Sequence, residues 1–77
     1  MRLISQDKTN DIPYERVAVC LDHDTRCDIL AYDTASVVAD DYWIMGKYES
    51  EERAKEVMNT ILIAYISNRA RFGFPEH

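Results

Sequence analysis

Apolar residues change their spacing once along this chain. Up to about Tyr48 they come in short runs that alternate with polar positions, and from Ser50 onward they recur every three or four residues. The first period is that of a strand and the second that of a helix. Arg2-Leu3-Ile4-Ser5-Gln6 reads as a short strand, and residues 7–11 as a polar turn. Pro13 fits the start of a second strand, where its missing N–H costs little. Val17, Val19 and Leu21 then alternate with Arg16, Ala18 and Cys20. Asp22-His23-Asp24-Thr25 is a turn by composition, and the chain returns through Arg26 to Tyr32. A hairpin centred between His23 and Asp24 sets Cys20 opposite Cys27, close enough in principle for a disulfide. Residues 33–36 form another turn. Val37 to Ala39 continues a short strand, which Asp40-Asp41 interrupts. Residues 42–48 are the strongest strand, with Tyr42, Ile44 and Tyr48 on one face and Trp43 and Met45 on the other. A strand apolar on both faces is expected to be covered on both.

Ser50 is a good helix N-cap, and Glu51 and Glu52 follow where the helix dipole favours acids. Arg53 stands where a capping box would need Glu. The helix is expected to run from Glu51 to about Asn68. Ala54, Val57, Met58, Ile61, Leu62 and Tyr65 form its main apolar stripe. Gly73 and Pro75 end regular structure. Ile63, Ile66 and Ala70 make a second apolar line on the other side of the helix. Together with Trp43 and Met45 they are the expected contact surface of a homo-oligomer, a dimer or larger, with two-fold symmetry as the default. The pattern as a whole predicts an α+β fold in one domain over residues 1–77. A small antiparallel sheet of about four to five strands (1–48) packs on one C-terminal helix (51–68), and an extended aromatic tail (71–77) follows.

Seventy-seven residues suffice for one core. A chain of that length buries only roughly 60–65% of its unfolded surface, so sharing surface between copies is one remedy for marginal stability. An apolar fraction of 47% is too high for a disordered chain. A formal charge of −5 argues against nucleic acid as partner. It leaves room for a small anion held by two or three Arg side chains. No apolar run is long enough to span a bilayer, and no signal-peptide core opens the chain. The expectation is a cytoplasmic protein, with no membrane partner and with both cysteines reduced.

Candidate chemistry is sparse. His23 and His77 have no Cys or His at ligand spacing. Asp22, Asp24 and Asp28 begin like a calcium loop. Arg26 then occupies a ligand position, Cys27 stands in place of the required Gly, and Asp33 in place of the closing Glu. Asp40 and Asp41, being adjacent in a strand, point to opposite faces. The chain has only two glycines, Gly46 and Gly73, and no phosphate loop. No metal, cofactor or catalytic residue is assigned, and the protein is expected not to be an enzyme. What remains is a basic and aromatic group from the two ends: Arg2, Gln6, Tyr14, Arg16, Arg69, Arg71, Phe72 and Phe74. If the tail folds back beside the first strand, these residues could bind a small nucleotide-derived ligand, with Arg on phosphate and rings on the base. In the competing reading Phe72 and Phe74 plug the core, and the Arg side chains pair with the many carboxylates.

The opening Met1-Arg2-Leu3-Ile4-Ser5-Gln6-Asp7, the following Asp11-Ile12-Pro13-Tyr14-Glu15, and Tyr48-Glu49-Ser50-Glu51-Glu52-Arg53-Ala54 at the helix entrance carry a resemblance. The chain resembles a family of short proteins of phages and prophages of Gram-positive gut bacteria. Those proteins open Met-Arg-Ile-Ser-Gln-Asp-Gly, continue through Pro-Tyr-Glu, and enter a helix through Tyr-Ser-Thr-Glu-Glu-Lys-Ala. Lys8 departs from the family's Gly, so the first turn is expected to differ in type. The resemblance brings no catalytic residues. It implies a setting in the cytoplasm of a bacterial host, where small phage proteins act against defence. One expectation is a sponge that sequesters a nucleotide immune signal, such as a cyclic ADP-ribose derivative or a cyclic oligonucleotide, in pockets between subunits. The alternative is an inhibitor that caps a host defence protein, or an accessory structural protein of the phage.

Overall fold

The computed structural model describes residues 1–35 and 42–77. Its elements, in chain order, are β1 (Arg2–Ile4), β2 (Asp11–Pro13), a 3₁₀ turn (Tyr14–Arg16), β3 (Val17–Leu21), β4 (Asp28–Asp33), β5 (Tyr42–Lys47), α1 (Glu51–Ile66) and β6 (Arg71–Gly73). The fold is α+β, with sheet packed on one C-terminal helix. The strand expected at Val37 to Ala39 and its interruption at Asp40-Asp41 lie outside the described residues.

The described strands divide into two three-stranded sheets, ordered β2-β1-β6 and β3-β4-β5. The 3₁₀ turn breaks the chain between β2 and β3, so the strands on either side enter different ladders. The tail then takes the second edge of β1 as a parallel strand, pairing Leu3 with Phe72. Arg2 N–H donates to Ala70 C=O at 2.9 Å, and Phe74 N–H to Ile4 C=O at 3.0 Å. The core lies where the two sheets meet α1. Leu3, Ile29, Ala31, Met45, Ala54, Val57 and Ile61 are its most enclosed members, with Ile12, Tyr48 and Phe74 around them.

The β3–β4 ladder pairs Cys20 with Leu30 and Leu21 with Ile29. The expected Cys20–Cys27 pairing is therefore displaced, and Cys27 lies in the loop before β4 with both thiols free. Local hydrogen bonding makes that loop longer than a simple hairpin turn. The Asp22 carboxylate accepts from the N–H of Asp24 and Thr25. Asp22 N–H closes onto Asp28 C=O, and Arg26 takes φ 60.

A bulge in β5 decides which way its side chains face. Ile29 pairs with Gly46 and Leu30 with Ile44, leaving Met45 as the extra residue. The bulge shifts the alternation by one. Tyr48 therefore joins Trp43 and Met45 on the core side and leaves the face that Tyr42 and Ile44 share. Met45 is fully buried and Trp43 packs half-buried against the core. Met45 therefore has no surface to offer a second copy, which corrects the sequence reading for that residue. The outer face of this sheet carries Tyr42 and Ile44, both exposed.

The Ser50 hydroxyl caps α1 by accepting from Arg53 N–H at 3.1 Å. The far end closes at Ile66, two residues short of expectation. There Asn68 adopts φ 59, donating to Tyr65 C=O, while Arg69 N–H reaches Ala64 C=O. This is the Schellman arrangement, with Asn in the left-handed position that Gly usually fills. The buried stripe is Ala54, Val57, Ile61 and Ala64. Leu62 and Tyr65, assigned to that stripe from spacing, are 50% and 42% exposed. So small a sheet covers only a narrow strip of the helix.

Candidate binding site

The Schellman turn reverses the chain at Asn68 and leads it straight into β6. This lays Arg69 and Arg71 alongside the last turns of α1. Between the helix end and β6 opens a groove of about 300 Å³, whose walls include Thr60, Ile63, Ser67, Arg69, Arg71 and Phe72. Arg69 and Arg71 form no ion pair with a described carboxylate. Cations just past a helix C-terminus are favoured by the dipole, which stabilises this placement without a counter-ion. The Phe72 ring is half-buried and meets Phe74 edge to face at 5.4 Å. The Thr60 hydroxyl donates to Glu56 C=O at 2.8 Å, leaving its own oxygen free to accept.

Of the residues expected to bind ligand, the structure brings together Arg69, Arg71 and Phe72. It separates the others. Arg2 is held by Asp11, donating from Nε to Oδ1 at 2.7 Å and from Nη2 to the backbone carbonyl at 2.9 Å. Gln6 has no free polar atom. Its Nε2 faces the carbonyls of Lys47, Pro75 and Glu76, and its Oε1 accepts from Lys47 N–H. Tyr14 meets the Tyr65 ring at 4.9 Å, tilted by 53°. Arg16 borders a separate shallow groove with Trp43 and Asp33. Phe74 is a core plug, 5% exposed.

The expected contact line behaves differently. Ile63 and Ile66 are 51% and 69% exposed and merge with Leu62 and Tyr65 into one apolar strip bordering the groove. Ala70 is exposed too, but its carbonyl is taken by Arg2 N–H. Sequence reasoning missed the hydroxyls of Thr60 and Ser67. Only their spacing from Ile63 along the helix could have signalled them. On the other flank of the strip, a second groove of about 460 Å³ lies between Tyr65, Ile66, Arg69, Met1 and Glu15. The N-terminal ammonium pairs there with Glu15, and that hydrogen bond holds the Glu15 carboxyl below its ordinary range.

Among the described residues no three His, Cys, Asp or Glu side chains gather to hold a metal ion. Burial, with the nearby Asp22 charge, pushes the Cys20 thiol up, which disfavours the thiolate a nucleophile needs. Among the described residues no helix is long and apolar enough to cross a membrane. Comparison of the chain with family models, with curated proteins and with solved structures finds no match.

Proposed function

We propose that the protein is a binding protein that captures a small, anionic, ring-bearing ligand of the nucleotide class in the groove between the end of α1 and β6, and holds it unaltered. One observation carries this reading: Arg69 and Arg71, without described carboxylate partners, share a groove with the Phe72 ring and the hydroxyls of Thr60 and Ser67. Guanidinium groups take phosphate oxygens in pairs, and an aromatic ring stacks on a base. The groove is open along the exposed Ile63 and Ile66 strip, and a second copy seated there encloses the ligand. In the phage setting that the resemblance implies, the ligand is a nucleotide immune signal and the protein is a cytoplasmic anti-defence sponge.

Native mass spectrometry with a panel of cyclic nucleotides and ADP-ribose derivatives tests the reading. The expected spectrum shows whole multiples of the 9.0 kDa chain with intact ligand bound. Charge-assisted hydrogen bonds contribute about 1.5–3 kcal/mol each, so Arg71→Ala is expected to weaken binding roughly ten- to a hundredfold. No binding across the panel removes the proposal, and recovery of altered ligand makes the protein an enzyme instead.

A second reading rests on the strip itself. Leu62, Ile63, Tyr65 and Ile66 expose a run of apolar surface suited to a protein partner, and the acidic chain suits a basic one. In that case the protein inhibits a host defence protein or serves as an accessory part of the phage. Stoichiometric capture of one protein on the strip, lost in Ile66→Asp, favours this reading over the sponge.

A further inference from the structure

The open edge of β3 has the composition and the hydrogen-bonding phase of a strand that pairs with a second copy of itself. The sheet order is β3-β4-β5, so among the described residues β3 pairs with one neighbour. Exposed edges are normally blunted by lysine, proline, bulges or inward charges. β3 is Val-Ala-Val-Cys-Leu and carries none of these.

The backbone phase follows from the two bonds that bracket the strand. Asp22 N–H donates to Asp28 C=O at 2.8 Å, and Arg16 C=O accepts from Thr34 N–H at 3.2 Å. Residues 16 and 22 therefore turn their polar groups toward β4. Hydrogen-bonding direction alternates along an antiparallel strand, so Ala18 and Cys20 do the same. Val17, Val19 and Leu21 point theirs away from the sheet. Val17 N–H is already used by Tyr14 C=O. The remaining outward groups are the Val17 carbonyl and both groups of Val19 and Leu21. None of these makes a hydrogen bond outside the ladder to another described residue.

We propose that two copies join antiparallel along β3, centred on Val19, so that two three-stranded sheets become one continuous sheet across a two-fold axis. In this register Val19 faces Val19 of the second copy and the two exchange N–H and C=O. Leu21 N–H donates to the Val17 carbonyl across the axis, and the symmetric bond repeats it. The Val17 N–H is held by Tyr14 C=O, so the seam forms four such bonds and each Leu21 carbonyl is left to water. Side chains match as well. Val17, Val19 and Leu21 pack toward the core on both copies, so one apolar layer continues across the junction.

Charge selects this partner over an unrelated strand. β3 is preceded by Arg16 and followed by Asp22. Pairing about Val19 sets Arg16 of each copy beside Asp22 of the other, twice by symmetry. Arg16 has no ion pair with a described carboxylate. One Asp22 oxygen serves the loop amides, and the second is left to the pair. The five strand residues between carry no charge, so two acidic chains meet without repulsion along the seam. This contact is separate from the groove and holds whatever the groove binds.

Sedimentation over a concentration series, with amide hydrogen exchange on the same samples, tests it. The wild-type chain is expected to reach at least twice 9.0 kDa, with the Val19 and Leu21 amides protected only in the assembled form. Val19→Pro removes the central donor from the outward side of the edge, which the isolated fold tolerates. It is expected to fold, by circular dichroism and cooperative melting, and to halve the mass. A chain that stays single at every concentration overturns the proposal. So do unprotected Val19 and Leu21 amides in an assembled sample, or a folded Val19→Pro variant of unchanged mass. If Val19→Pro does not fold, Arg16→Glu decides. It is expected to weaken assembly at least fivefold at low salt and much less at high salt, and no change at low salt overturns the pairing.

Discussion

Gln6 ties three parts of the molecule together, and its loss has a calculable cost. Its backbone N–H donates to the bulge carbonyl of Met45 at 2.7 Å. Its side-chain amide accepts from Lys47 N–H at 2.9 Å and donates toward the carbonyls of Lys47, Pro75 and Glu76 at 3.1, 3.1 and 2.8 Å. An amide nitrogen has two hydrogens, so the donor side amounts to two full bonds, one of them shared. With the acceptor bond, Gln6→Ala removes about three hydrogen bonds. At about 0.5–1.5 kcal/mol each, and with some replaced by water at this half-exposed site, the expected loss is about 1.5–3 kcal/mol. For a domain of this size each kcal/mol shifts the melting temperature by roughly 4–8 °C, so melting should fall by about 6 °C or more. Urea unfolding of both proteins measures the difference directly. Gln6→Glu sharpens the test, because it turns a donor into a carboxylate facing carbonyl oxygens. At neutral pH it should be worse than alanine. The new carboxyl should titrate above its ordinary value, so the variant should regain stability as pH falls through that raised value. A Gln6→Ala protein within about 0.5 kcal/mol of wild type would refute the strap and return Gln6 to the pool of free binding groups.

Other consequences are as direct. Lys8 sits at φ 65; relief of about 1–2 kcal/mol of left-handed strain, less about 0.4–1 kcal/mol of added chain entropy, should make Lys8→Gly more stable by about 0.5–1 kcal/mol in urea unfolding. A Cβ at Gly46 would lie 2.7 Å from Tyr48 Cε2, on a ring fastened by its hydroxyl to Pro75 C=O; Gly46→Ala should cost about 1–3 kcal/mol, and Tyr48→Leu in the same chain should remove most of that increment. Burial pushes the Tyr48 hydroxyl from 10.0 up to about 12, so its contribution is intact below pH 10 and should be lost as pH rises toward 12, read as a falling melting temperature that Tyr48→Phe abolishes. Hydrogen bonds from Thr9 and Ser5 hold Asp7, and those from Arg26 and Lys55 hold Glu51, at about 2; both contributions are full above the ordinary carboxylate range and should fade as pH falls from about 4 to 2, a fade that Asp7→Asn and Glu51→Gln should each reduce.

How much of this was legible beforehand depends on distance along the chain. The helix start at Ser50, the alternation of β3 and the apolar character of residues 42–48 are local, and period and capping chemistry set them. The candidate site was half legible. Arg69, Arg71 and Phe72 are adjacent in sequence and stay together in space. Arg2, Gln6 and Tyr14 come from the other end, and nothing local says which of their polar groups the fold consumes.

The sequence by itself determined the α+β class, the single C-terminal helix and the residues able to carry charge or a ring near the chain's end. Tertiary structure alone decided three things. The tail became the parallel partner of β1. A bulge at Met45 turned Trp43 and Met45 inward and left Tyr42 and Ile44 outside. A small sheet buried four residues of the helix stripe and left Leu62 and Tyr65 exposed beside Ile63 and Ile66. The physical reason is common to all three. Period fixes which side chains share a face, while register and the area of the opposing surface, which depend on residues far away in sequence, fix whether that face is covered.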